Sequence, residues 1–231
     1  MPVAYRQPFF LFDLDGTLID SVYQHVIAWR RALEEANIDL SVWRIHRRIG
    51  MSGGLFLAAL LRETGLDLSK ADAERLQDRH QHYYLEQLAS VRPLPGAPEL
   101  LAALTQMRLP WAIATSSRHV TGRPALDLLG LPPDTPMVTR DQVRHAKPDP
   151  DLFLAAAALL DLPIENSMVV GDSIWDLLAA RRAGALGIGL LSGGYGLEEL
   201  ERAGAFRVYA DPADMLAHLD ELGVRGEPVE P

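Results

Sequence analysis

Short apolar runs alternate with amphipathic stretches along most of the chain. The first run, Pro8 to Asp13 (PFFLFD), is stopped by Asp15-Gly16, as expected of a buried strand ending in a loop. Similar runs recur at 111–115 (WAIAT), 137–139 (MVT), 167–171 (SMVVG), 186–190 (LGIGL) and 206–209 (FRVY). Between them, helical spacing of apolar positions covers about 96–107, 119–130, 150–160, 174–184, 196–203 and 212–222. This alternation predicts an α/β fold with a mainly parallel sheet and helices on both faces. Short right-handed crossovers then place the strand C-termini, and the polar residues that follow them, along one sheet edge.

Residues 21–91 break the alternation. Four amphipathic helices are predicted in succession, at 21–36, 41–48, 52–64 and 70–90, with no convincing strand among them, so an insertion follows the first strand. Arg92-Pro93-Leu94-Pro95-Gly96 marks the return as a stiff connector. The closing ELGVRGEPVEP has little to bury and is expected to be a loose tail. No internal repeat or low-complexity tract stands out.

Composition narrows the chemistry. The 231 residues, 48% of them hydrophobic, suffice for one α/β core plus a small inserted domain. Without cysteine there is no disulfide, thiolate metal site or cysteine nucleophile, so any metal is bound by oxygen or imidazole. The net charge of -9 disfavours nucleic acid or an anionic membrane as a partner. The start, MPVAYRQPFFLFDLDG, has no long apolar stretch behind a basic one, and a cytoplasmic protein is expected.

Polar residues cluster where the strands end. Asp13 and Asp15 are two residues apart, which puts both carboxylates on one face of an extended chain. Asp-Gly alone is more simply a turn, permitted by Gly16 and tied by the Thr17 hydroxyl. Thr115, followed by Ser116 and Ser117, either caps a helix or offers hydroxyls to an anion. Lys147 lies in HAKPDPD, where two prolines stiffen the backbone before a helix that begins near Pro150. Asp172 and Asp176, in VVGDSIWD, fall on one side of a helix that starts between them. Two acids there suit a hard cation, although Asp172 or Ser173 can equally cap the helix.

Taken in order, DLDGTLID (13–20), Thr115, KPDP (147–150) and GDSxxD (171–176) match four motifs of the haloacid dehalogenase superfamily. The chain resembles its phosphoglycolate phosphatase and beta-phosphoglucomutase-like branch over nearly the whole length. The resemblance implies a Rossmann-like three-layer core at 1–20 and 92–231 and an all-helical cap at 21–91. It implies a Mg²⁺-dependent phosphatase acting on a small phosphorylated metabolite through an aspartyl-phosphate. Asp13 would be the nucleophile and Asp15 the general acid and base. Thr115 and Ser116 would bind phosphoryl oxygens, and Lys147 would offset repulsion between Asp13 and the phosphoryl group. Mg²⁺ would be held by the Asp13 and Asp172 carboxylates and the Asp15 backbone carbonyl, with Asp176 either a ligand or an orienting group beyond the ligands.

Two further features fit that branch. His25, on the first helix near the hinge, would assist cap closure or proton delivery, whereas a histidine on an amphipathic helix is more often a packed or surface residue. In the turn from His46 to Gly54, Arg47 or Arg48 would bind a substrate carboxylate or second phosphate; otherwise they are solvated cations at a helix end. Beta-phosphoglucomutases carry an arginine after Gly-x-Ser in this turn, and Gly53 stands there instead, which places a phosphosugar mutase second. A dehalogenase needs neither Asp15 nor a metal. A non-catalytic phosphometabolite-binding protein needs no nucleophile. Monomer and homodimer are both compatible with the sequence.

Overall fold

The computed structural model describes residues 8–66 and 68–224. β1 (Phe9–Phe12) leads through the two-residue β2 (Ile19–Asp20) into four helices, α1 (Val22–Glu35), α2 (Val42–His46), α3 (Gly53–Thr64) and α4 (Lys70–Gln87), and the chain returns through β3 (Arg92–Pro93). Alternation then begins with α5 (Ala97–Gln106), β4 (Trp111–Ala114), α6 (His119–Asp127), β5 (Met137–Val138) and α7 (Asp151–Leu159). It ends with β6 (Ser167–Gly171), α8 (Ile174–Ala183), β7 (Leu186–Leu190), α9 (Leu197–Ala203), β8 (Ala205–Tyr209) and α10 (Pro212–Ala217).

Six strands form one parallel sheet in the order β5-β4-β1-β6-β7-β8. The first strand is therefore central, and the strand order reverses on either side of it. In such sheets the crevice beyond the strand C-termini at the reversal point is where ligands bind. The period of two in PFFLF explains the two cores. Phe10 and Phe12 pack with Leu100, Leu101 and Leu104 of α5 and Met215 of α10, while Phe9 and Leu11 pack with Leu152, Phe153 and Ala156 of α7 and Ala179 and Ala180 of α8. Each fully buried Leu or Phe of this kind contributes about 1.5–3 kcal/mol relative to exposure. Three layers result, as the sequence predicts.

The inserted helices have a core of their own, in which Val26, Trp29 and Leu33 of α1 meet Phe56, Leu57 and Leu60 of α3 and Leu76 of α4. Both crossings between this unit and the sheet pass through an antiparallel pair, Ile19 with Pro93 and Asp20 with Arg92. That ribbon is absent from the sequence reading because two-residue strands carry no periodicity. Other expectations need correction at their ends. α2 stops at His46 and not at 48, and α10 stops at Ala217, with Leu219–Leu222 in a separate 3₁₀ turn. The tail is not loose throughout, since Leu222 and Val224 are buried in the core beside Leu219; residues 225–231 of that expected tail lie outside the described residues. Among the described residues no helix is long and apolar enough to cross a membrane.

Candidate active site

Three parallel strands end side by side at the reversal point and deliver Asp13, Thr115 and Asp172 to one crevice. The Asp13 amide donates to the Val170 carbonyl at 2.9 Å, which ties the end of β1 to β6, and the Thr115 amide donates to Val138 at 3.0 Å. Gly16 then turns the chain back in the left-handed region, at φ 84°, where a side chain would also strike Asp172, a β-carbon lying 2.6 Å from Oδ2. Thr17, fully buried, donates to Asp172 Oδ1 at 3.0 Å. Gly193 closes Asp172 from another side, for a β-carbon there would lie 1.8 Å from Oδ2.

Asp13, Asp172 and Asp176 are all buried, and one carboxylate oxygen of each lies within 4.8 Å of the others. Lys147, itself without exposed surface, is hydrogen-bonded to Asp13 Oδ1 and lies 2.8 Å from Asp176 Oδ1. One cation thus faces three acids. Burial pushes the Asp13 carboxyl up to about 7, with Lys147 opposing and Asp176 adding to the rise. Burial and the charges of Asp176 and Asp13 hold Asp172 well above the ordinary carboxylate range. Burial alone would lower Lys147, but the Asp13 and Asp176 charges outweigh it and keep the ammonium protonated. Such a cluster fits a divalent cation, because three carboxylates crowded together at a buried site have only the Lys147 ammonium to offset them.

Asp176 has a second duty. Its Oδ2 accepts from the Ser173 amide at 3.1 Å and from the Ser173 hydroxyl, closing a capping box on α8. Capping and membership of the acid cluster coexist in the same side chain.

The Asp15 carboxylate faces away from this cluster, toward the inserted helices. It accepts from Ser21 Oγ at 2.7 Å, Ser117 Oγ at 2.8 Å and the Tyr84 hydroxyl at 3.4 Å, and His25 Nε2 lies 3.1 Å from its Oδ1. Burial alone would raise its pKa, but His25, Ser21 and Ser117 outweigh it and take the carboxyl below the ordinary range. Its carboxylate is therefore not among the oxygens of the acid cluster. His25 stacks on Tyr84 at 3.9 Å, and its Nδ1 is 3.1 Å from His80 Nε2 on α4. Burial and His25 depress the His80 pKa well below the usual histidine value.

A cavity of about 470 Å³ opens above Asp13 and Asp15, between sheet edge and inserted helices. That volume suits a small ligand. Thr115, Ser116, His25 and Arg48 line it, together with Gln77 and Gln81 of α4. The structure does not bring every expected residue to it. Arg47, expected with Arg48 as a substrate-binding residue, does not line it and faces the core instead, bonded to Glu199 and stacked on Tyr195. Arg48 reaches the cavity but is bonded to Glu63 and to the Arg44 carbonyl at 2.6 Å. Ser116 donates to the Gly50 carbonyl at 2.8 Å across the cavity.

The sequence suggests neither the bond from Ser21 nor the bond from Ser117 to Asp15, and it does not mark His80 or Tyr84 at all. Ser117 lies two residues after the strand-end threonine and Ser21 follows DLDGTLID, so position along the chain points to both. Nothing local marks His80 or Tyr84, which arrive by the packing of α4 on α1.

The family model described as haloacid dehalogenase-like hydrolase matches residues 9–184. Hexitol phosphatase A of Escherichia coli is 34% identical over 183 residues, 76% of this chain and 79% of that protein. A phosphoglycolate phosphatase of Agrobacterium fabrum is 32% identical over 191 residues, 80% of this chain and 81% of its own length. Among solved structures, a hydrolase from Pseudomonas syringae superposes with a TM-score of 0.92 at 55% identity, covering 94% of this chain and 99% of that one.

Proposed function

Since the chain belongs to the haloacid dehalogenase-like hydrolase family, we propose that it is a Mg²⁺-dependent phosphatase that hydrolyses a small phosphomonoester, such as a sugar phosphate or a phosphoglycolate-like ester, through an aspartyl-phosphate. One observation carries this reading. Asp13 is held by Lys147 beside two further acids, while Asp15, two residues on, is held by separate partners at the cavity. Two carboxylates at one sheet edge thus occupy different environments, as separate nucleophilic and proton-transfer roles require.

Asp13 attacks phosphorus, and the bond to the leaving oxygen breaks as Asp15 gives that oxygen a proton. An arriving phosphoryl group brings negative charge beside Asp15 and raises its affinity for the proton it must carry. Asp15 then takes a proton from the water that attacks phosphorus, and Asp13 is released with phosphate. Thr115 and Lys147 hold the phosphoryl oxygens and offset their charge against Asp13. Asp13, Asp172 and the Asp15 carbonyl would hold Mg²⁺, which when bound draws charge from the phosphoryl oxygens. Asp176, engaged by Ser173 and Lys147, chiefly steadies that lysine. The helices at 21–91 act as the cap over the core, with His25 tying its movement to Asp15.

A phosphatase fits better than a mutase because the cap offers the cavity Arg48, already bonded to Glu63, while Gly53 and Gly54 bring no side chain. A second phosphate has little in the cap to hold it. Phosphate release should be measured across a panel of small phosphomonoesters with Mg²⁺, with chelator and after metal is restored. The proposal expects hydrolysis that stops and recovers with the metal; full activity in chelator contradicts it.

A further inference from the structure

The turn after α2 is fastened to the core by contacts that the chemistry above does not use. Arg47 lies over the Tyr195 ring, Cζ 4.1 Å from its centroid, and its guanidinium bonds both Glu199 oxygens, Nη1 to Oε2 at 3.2 Å. Its backbone carbonyl accepts from the Tyr195 hydroxyl at 2.9 Å and from the Trp175 indole at 3.3 Å. One residue earlier, His46 Nε2 donates to the Gly193 carbonyl at 2.8 Å.

The receiving segment also touches the catalytic loops. Gly193 packs against Asp172, and Ser192 donates to the Gly16 carbonyl at 2.6 Å. Cap turn, core loop and the acid cluster are therefore in mechanical contact. We propose that Arg47, Tyr195 and Glu199 form a clasp that holds the cap closed over Asp13, so that they are positioning residues for phosphoryl transfer and not substrate ligands. This rests on the phosphatase reading for its kinetic consequence, but not for the contact itself.

The materials of the clasp suit a joint that opens in each turnover. The side chains of Arg47 and Glu199 are 34% and 43% exposed, so their pair is partly screened by water and is cheaply made and broken. Stacking on Tyr195 adds a contact insensitive to small shifts of the cap. Tyr195 is buried against Leu177 and Leu200, which fixes the ring and makes the core side of the clasp rigid.

A coupling experiment separates a clasp from a substrate ligand. Arg47→Glu is made in the natural chain and in a Glu199→Arg background, since Glu199 also accepts from the Gly196 amide and its loss has a cost of its own. Two readouts are taken: amide exchange across residues 46–54, and kcat/KM for para-nitrophenyl phosphate and for phosphoglycolate. In the natural chain, Arg47→Glu should speed exchange and lower kcat/KM by about threefold to tenfold for both esters, the range expected of a partly exposed pair plus a stack. In the Glu199→Arg background that loss should shrink to less than about twofold. An undiminished loss, a loss confined to the carboxylate-bearing ester, or unchanged exchange each overturns the clasp. If the natural chain hydrolyses no ester, the phosphatase reading fails and exchange alone still decides the clasp.

Discussion

Asp13 is buried beside two further acids and bonded to Lys147, and this environment makes two predictions. Asp13→Asn replaces the nucleophile by a near-isosteric amide that still accepts from Lys147. Turnover should fall at least about a thousandfold, while the melting temperature without metal stays level or rises, because a buried like charge beside Asp176 is removed. Residual activity near that of the natural chain would remove Asp13 from the mechanism. The second prediction concerns pH. With its pKa raised from 3.8 to about 7, Asp13 binds more protons in the folded than in the unfolded state between those values, so its contribution to stability is present at low pH and lost as pH rises through 7. Asp172 shifts in the same direction. Asp15 shifts the other way, and its contribution is lost only as pH falls below the ordinary carboxylate range, so it is intact at both ends of the test. Mg²⁺ binds the ionised acids and should raise the melting temperature more at about pH 8 than at about pH 5.5. Calorimetry showing an equal rise at both would contradict the cation site. At this scale Asp13, Thr115 and Asp172 were legible because each sits directly after an apolar run, which announces a strand end, and Lys147 was legible only through the two prolines that follow it. The direction in which a side chain then points was not: Asp15 turns toward Ser117 and His25, and Arg47 away from the cavity, because partners distant in sequence decide both.

Elements were read best where burial on both faces leaves a strand as an uninterrupted apolar run. All six strands of the sheet fall within or next to the runs seen in the sequence, as with SMVVG and LGIGL. The ribbon of β2 and β3 was illegible, being too short for any period, although its partners flank the insertion on both sides. Loops that carry function without charged residues were equally silent. Gly193 is such a case: its lack of a side chain is what lets Asp172 occupy its place. Gly193→Ala should preserve the far-ultraviolet circular dichroism but weaken Mg²⁺ binding and lower turnover at least about tenfold, since the added methyl must displace a carboxylate of the acid cluster. Unaltered metal affinity, read by titration calorimetry, would show that the loop can retreat without moving Asp172.

At the scale of the whole molecule, the sheet edge carries the acid cluster and the inserted helices pack around a core of their own, and the proposed function gives the first the phosphoryl group and the second its cover. The run of helices was legible as a break in alternation at 21–91, while the contacts between the two parts, from His25 to Asp15 and from Arg47 to Glu199, were not. They depend on how two separately packed cores meet, for which no local pattern exists. In the proposed reaction Asp13 carries the phosphoryl group between its two halves. Asp15→Asn tests it most directly with para-nitrophenyl phosphate, whose acidic leaving group departs without a proton donor, while the missing base slows release of the phosphoryl group from Asp13. Rapid quenching in acid, borohydride reduction and mass spectrometry of the peptide containing residue 13 should find homoserine there in Asp15→Asn and none in Asp13→Asn. Release of para-nitrophenol with no modification at residue 13, or with the modification on another side chain, would contradict the account.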